Sequence, residues 1–274
     1  MTDVPESATR PPFVADDGRT VIVALDHALV SGNIAGLTRP GEVLRRLAGA
    51  RPDGFIVPMG MGGLSRAAAP KVPWLLTADV YTTSTLPGRA GEHDVHAVVW
   101  SAAGAVRAGA SGLKVLLVFG RRDPGAFERE LRDVAELIAG AREVGLPVMV
   151  ETVLWGPAVT AGDDDDARMV VDAARTGFEL GADVLKIAVP DDLGPLRELS
   201  SGLPVPIVLM GGPANDPAAM FASIDAALDA GAAGVALGRN VWTHPSPVAY
   251  VEALHRLVHG REGPARALAA LDPA

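Results

Sequence analysis

The 274-residue chain predicts an α/β fold, a closed (β/α)8 TIM barrel. Three observations carry this. Eight short apolar runs recur along the chain, continuous rather than alternating in polarity, as strands of a parallel sheet covered on both faces should be. Segments of helical periodicity lie between several of them and end in Gly-Ala just before the next run. The length suits one such barrel, and no linker divides it. The alternative is an open doubly wound sheet, but no G-x-G-x-x-G follows the first run.

Taken in order, residues 1–18 are expected to form a flexible N-terminal arm, and 19–274 a single barrel domain. The first four strands are V-I-V-A-L-D (21–26), G-F-I-V-P (54–58), P-W-L-L-T-A-D (73–79) and G-L-K-V-L-L-V-F (112–119). The last four are P-V-M-V-E-T-V (147–153), A-D-V-L-K-I-A-V (182–189), V-P-I-V-L-M (205–210) and A-G-V-A-L-G (233–238). Helices are expected over 126–144, 165–180 and 217–230, with Gly145 as a C-cap and Gly109, Gly181 and Gly231 as helix stops feeding strands. The run D-D-D-D at 163–166 reads as a solvated loop and the acidic first turn of a helix rather than a metal cluster. G-M-G-G-L (60–64) and Y-T-T-S-T (81–85) read as loops.

Composition excludes several functions. The net charge of −9 argues against a nucleic-acid binder, which needs a basic face. The absence of cysteine removes disulfides, thiolate nucleophiles and cysteine metal sites, and fits a cytoplasmic protein. No apolar run reaches the roughly 18 residues of a membrane span, and the N-terminus has no secretory h-region.

The polar residues on the strands are the candidates for chemistry, because the active sites of such barrels sit at the C-terminal ends of the strands. Lys186 lies in the sixth run between Leu185 and Ile187. It reads either as a lysine that snorkels to the rim or as an amine nucleophile. Burial would lower its pKa, freeing the amine to attack a carbonyl, lose water and form an iminium, an electron sink beside which a C–C bond breaks or forms. Lys114 is on the fourth run, of the same parity. Either it faces the same interior and depresses the pKa of Lys186 further, or it is an ion-pair partner of Glu151 or Asp26. Asp26 and Glu151 are each an acid/base or a charge partner. His27, next to Asp26 and of opposite strand parity, reads as a second-layer or loop residue. Gly211 and Gly212 after the seventh run, and Gly238 and Arg239 after the eighth, suit a phosphate: backbone N–H groups approach the anion and a guanidinium pairs with it.

Together these segments resemble the class I (Schiff-base) aldolases of the deoxyribose-phosphate aldolase superfamily, in the branch of archaeal-type fructose-bisphosphate aldolases and 2-amino-3,7-dideoxy-D-threo-hept-6-ulosonate synthase. V-A-L-D-H-A-L-V-S-G-N-I-A-G-L (23–37) is similar to the opening of that branch, A-D-V-L-K (182–186) to its Schiff-base strand, and G-V-A-L-G-R-N-V-W (234–242) to its phosphate-binding end. The resemblance runs from about residue 20 to 258. It implies that Lys186 forms the Schiff base, that Asp26 shuttles protons, and that Gly211, Gly212, Gly238 and Arg239 hold a substrate phosphate. One departure stands out: Val153 occupies the position of the branch's strand-five tyrosine. The pair Glu151 and Lys114 is instead similar to the tagatose-bisphosphate aldolases, so Glu151 is expected to replace the tyrosine.

The expected function is a carbon–carbon lyase acting on a phosphorylated ketose or ketone such as dihydroxyacetone phosphate, without cofactor or metal. The alternatives are a related C–C bond-forming synthase, transaldolase or thiolase, or a non-catalytic sugar-phosphate-binding barrel. A homo-oligomer is expected, with Trp242, Tyr250 and Leu254 as interface candidates.

Overall fold

The structure is a computed structural model that describes residues 10–82, 95–212, 216–269 and 271. The ten strands are β1 (Thr20–Ala24), β2 (Gly54–Val57), β3 (Trp74–Thr77), β4 (Asp79–Thr82), β5 (Val95–Val98), β6 (Gly112–Phe119), β7 (Val148–Leu154), β8 (Val184–Ile187), β9 (Ile207–Met210) and β10 (Gly234–Leu237). Eight of them close a parallel barrel in the order β1, β2, β3, β6, β7, β8, β9, β10 and back to β1. These are the eight apolar runs. The helices are α1 (Ala28–Ser31), α2 (Pro40–Ala48), α3 (Met59–Ala68), α4 (Ala102–Ala108), α5 (Pro124–Glu143), α6 (Ala167–Leu180), α7 (Leu193–Gly202), α8 (Pro217–Asp229), α9 (Arg239–Trp242), α10 (Pro247–Val258) and α11 (Pro264–Leu268). No helix among the described residues is long and apolar enough to cross a membrane.

Local chemistry sets the boundaries. Asp123, Asp166, Asp192 and Asp216 each cap a helix by accepting a hydrogen bond from a first-turn backbone N–H, which satisfies an otherwise orphaned donor. Gly109 and Gly181 end α4 and α6 in the left-handed conformation. The acidic run at 163–166 supplies one of these caps and does not enter the helix: Asp166 accepts from the Met169 N–H, and Asp163 accepts from Thr160. G-M-G-G-L is helical rather than a loop, because burial of Met61 and Ser65 outweighs the poor helix propensity of three glycines.

Within the arm expected over 1–18, residues 13 and 14 are packed instead of mobile. Phe13 and Val14 are buried, and Phe13 plugs the N-terminal end of the barrel. A Cβ at Gly112 would lie 2.8 Å from the Phe13 ring, so only glycine leaves room for the plug at the foot of β6. Residues 1–9 lie outside the described residues. Above Phe13 the lower interior is apolar: Ile22, Ile56, Leu75, Met149, Val184 and Val208 fill it. Trp242, Tyr250 and Leu254 are buried within this chain, so they are core residues and do not form an intersubunit surface.

Beyond β3 the chain leaves the barrel as the antiparallel hairpin β4–β5, which the sequence reading did not anticipate. Its strands have four residues each, and the part of Y-T-T-S-T beyond Thr82 lies outside the described residues.

Candidate active site

The inward positions of β7 and β8 turn from apolar to charged two residues above Met149 and Val184, and on β6 the register partner of Met149 is Lys114. Lys186 and Glu151 are register partners on neighbouring strands. Lys186 Nζ lies 2.8 Å from Glu151 Oε1, and Lys114 Nζ lies 2.9 Å from Glu151 Oε2. One carboxylate therefore bridges two amines. The side chains of Lys186 and Lys114 are only 6% and 4% exposed, which rules out a lysine that snorkels to solvent. Asp26, two residues past the end of β1, lies 3.6 Å from Lys114 Nζ and accepts a 2.9 Å hydrogen bond from Thr77 Oγ1.

Burial opposes the charges of Asp26, Glu151 and Lys114, yet their partners outweigh it. Asp26 is held below the ordinary carboxylate pKa by Lys114, His27, Lys186 and Thr77, against desolvation. Glu151 is lowered by the two lysines, against burial and the like charge of Asp26. Lys114 is pushed up: burial favours the free amine, but Asp79, Glu151 and Asp26 hold the proton. Lys114 is thus a fixed cation, the charge partner of both Glu151 and Asp26.

Lys186, Glu151, Lys114 and Asp26 open into one cavity of about 930 Å³. Gly211, Gly212, Gly238 and Arg239 line the same cavity, so the two glycine loops and the buried lysine converge as expected. Gly211 is half-buried, and Gly212 and Arg239 are exposed. Gly238 is a place of close approach: a Cβ there would collide with the His27 ring and lie 2.9 Å from the Ala24 carbonyl. His27 is the residue before α1, half-buried, and also lines the cavity. Its Nδ1 is 3.7 Å from Asp26, its ring meets Trp242 edge-on, and burial foremost keeps its pKa below the usual value. Trp242 Nε1 donates to the Ala24 carbonyl at 3.2 Å, tying the end of the barrel to its beginning.

A family model described as "DeoC/LacD family aldolase" matches residues 20–244. The chain belongs to this family. It is 30% identical to 2-amino-4,5-dihydroxy-6-oxo-7-(phosphonooxy)heptanoate synthase of Streptomyces griseus, over 92% of this chain and 90% of that protein. It is 28% identical to 2-amino-3,7-dideoxy-D-threo-hept-6-ulosonate synthase of Halobacterium salinarum, over 98% and 97%. Among solved structures, a Schiff-base-forming fructose-1,6-bisphosphate aldolase superposes with a TM-score of 0.77 at 28% identity, covering 90% of this chain and 96% of the other. The protein is an aldolase of the class I, Schiff-base type, a carbon–carbon lyase.

The buried charge cluster extends further than the sequence suggested. Asp79, at the start of the hairpin, is fully buried; its Oδ1 lies 3.9 Å from Lys114 Nζ and its Oδ2 accepts from the Leu116 N–H. Asp79 Oδ2 is also 2.7 Å from His96 Nε2 on β5. His96 Nδ1 is 3.3 Å from Glu130 on α5, and Glu130 pairs with Arg121 at 2.9 Å and accepts from the Val118 N–H. Burial disfavours charge on His96, but hydrogen bonds to Asp79 and Glu130 outweigh it and raise its pKa to about 9. A continuous buried ion chain thus runs from Lys186 through Glu151, Lys114, Asp79, His96 and Glu130 to Arg121. No single-sequence signal linked Asp79, His96 and Glu130, which come from two strands of a hairpin and a distant helix. Val153, where the resemblance puts a tyrosine, packs with Leu116, Val118 and Tyr81, and Tyr81 brings a ring from the hairpin to the cavity wall.

Proposed function

We propose that this aldolase forms its Schiff base at Lys186 and takes a phosphorylated ketone such as dihydroxyacetone phosphate as donor. The observation that carries this is the buried Lys186 amine, 2.8 Å from a carboxylate, in a cavity that also holds the two glycine loops. Glu151 is within reach to take the ammonium proton, which frees the nitrogen to attack the donor carbonyl. The carbonyl oxygen gains protons and leaves as water, giving the iminium. In cleavage, the acceptor hydroxyl then loses its proton to a carboxylate while the C–C bond electrons move to the iminium nitrogen. This yields an enamine and a free aldehyde. Glu151 serves as this shuttle, with Asp26 beside it.

Charge balance supports the reading. Lys114, Lys186, His96 and Arg121 are four cations, and Asp26, Asp79, Glu151 and Glu130 are four carboxylates. Among the described residues these charges balance when the Lys186 nitrogen carries a cation. An iminium is such a cation, so the site is complementary to it and leaves the neutral amine uncompensated. The substrate phosphate would sit against Gly211, Gly212, Gly238 and Arg239.

The experiment is borohydride trapping in the presence of dihydroxyacetone phosphate, followed by peptide mass mapping. A reduced adduct on the Lys186 peptide is expected. An adduct on Lys114 instead, or none with any carbonyl compound, would overturn the assignment.

A second reading within the same chemistry is C–C bond synthesis. Val153 in place of the tyrosine changes how the acceptor is protonated, and the 30% identical relative is itself named a synthase. A panel of simple aldehydes and amino-aldehydes as acceptors separates the two directions. We further infer a cytoplasmic homo-oligomer. Exposed Val99, Trp100 and Val144, which line a groove between α4 and α5, support association.

A further inference from the structure

At the N-terminal end of the barrel, opposite the cavity, two histidines one helical turn apart meet two carboxylates. His255 is on α10 and His259 directly follows that helix; their rings stack with centroids 5.1 Å apart. Asp53 precedes β2, and ligand atoms of Asp53, His255 and His259 lie within 4.8 Å of one another. Asp17 reaches in from the turn before β1.

We propose that His255, His259 and Asp53 form a binding site for a divalent transition-metal ion, with Zn²⁺ the ion that suits the donor set best. Two imidazoles and a carboxylate are borderline ligands, which favour Zn²⁺ and its neighbours over Mg²⁺ or Ca²⁺.

Outer contacts orient each ligand. The His255 ring is oriented by stacking on His259, and its Nε2 is buried with no hydrogen-bond partner among the described residues. That nitrogen is therefore available to a metal. His259 Nδ1 lies 2.8 Å from Asp17, the carboxylate–histidine pairing that typically orients a metal-bound imidazole, and its Nε2 faces Asp53 at 2.9 Å. Asp53 Oδ2 accepts from the Val21 N–H at 2.7 Å, so the carboxylate is fixed in place. His259 and Asp53 keep about a fifth of their side-chain surface exposed, which leaves an entry path and room for a water as fourth ligand. An ion here would join the turn before β1, the foot of β2 and α10 across the strands where the barrel begins. Being far from Lys186, it would serve stability rather than turnover.

The test uses the full-length chain without a histidine tag, stripped with EDTA and titrated with Zn²⁺ by calorimetry while thermal unfolding is followed. One Zn²⁺ per chain and a Tm that rises with Zn²⁺ are expected. His255→Gln and His259→Gln should each weaken binding on the order of 100-fold or more, since even outer-contact losses cost about 10- to 100-fold. Aldolase turnover of His255→Gln should match the parent. If a variant does not fold, Co²⁺ added to the parent decides, through the visible bands of a nitrogen-ligated tetrahedral ion. No saturable Zn²⁺ binding, no such Co²⁺ spectrum, or undiminished binding in both folded variants would overturn the site.

Discussion

The lower and upper halves of the barrel interior are built by the same strands, yet they do opposite things. Below, Ile22, Leu75, Met149, Val184 and Val208 close over Phe13 in an apolar plug. Two residues higher on β7 and β8, Met149 and Val184 give way to Glu151 and Lys186. The lower layer stabilises by removing apolar area from water, and there any well-fitting hydrophobic side chain will serve. The upper layer costs desolvation at every charge and is sustained only because each charge has a partner. The dry lower half is what makes the upper charges strong, since it supplies the low-dielectric floor on which they act.

The comparison breaks most visibly at Lys186. Lys186→Met should lower turnover on the order of 10⁴-fold or more, as removal of a nucleophile does, and abolish borohydride trapping. Glu151→Gln keeps the shape of the bridge and removes the base, so turnover should fall roughly 10²- to 10⁴-fold. Full turnover in this variant beside a dead Lys186→Met would assign the proton shuttle elsewhere.

Stability measurements sharpen the contrast. Lys114→Met leaves Asp26, Asp79 and Glu151 without their shared cation and should cost about 3–5 kcal/mol in urea unfolding, together with activity. Leu75→Ala in the lower half should cost about 2–5 kcal/mol from the lost burial and the cavity, while trapping at Lys186 persists. Similar destabilisation with opposite effects on imine formation would establish that one half is scaffold and the other is chemistry.

The smallest effect is a pH dependence. His96 binds its proton more tightly in the fold, with a pKa raised to about 9 from an ordinary 6.5. Its bridge between Asp79 and Glu130, with Lys114 and Arg121 beyond them, therefore contributes fully below pH 6.5 and is lost as the pH rises through 9. The loss is about 3.5 kcal/mol at most, from roughly 1.4 kcal/mol per pKa step. His96→Gln should flatten the fall of Tm between pH 7 and 9. An unchanged slope would mean that the hairpin is held by other contacts.

The amino-acid sequence alone determined the barrel, because eight β-rich apolar runs separated by capped amphipathic helices are a local, repeated pattern. It also determined the four charged residues at the strand ends, since an ionisable group inside an apolar run must be paired or functional. Family membership followed from the order of those segments along the chain. Only the tertiary structure decided that Glu151 stands between the two lysines and that Asp79, His96 and Glu130 extend the ion chain, because these groups meet across gaps of 17 to 37 residues. It alone placed Phe13 under the barrel and set Asp53 beside His255 and His259, more than 200 positions along the chain. The physical reason is the same in each case. Periodicity and capping are properties of neighbours along the chain, whereas the pairing of buried charges depends on which neighbours the closed barrel brings across space.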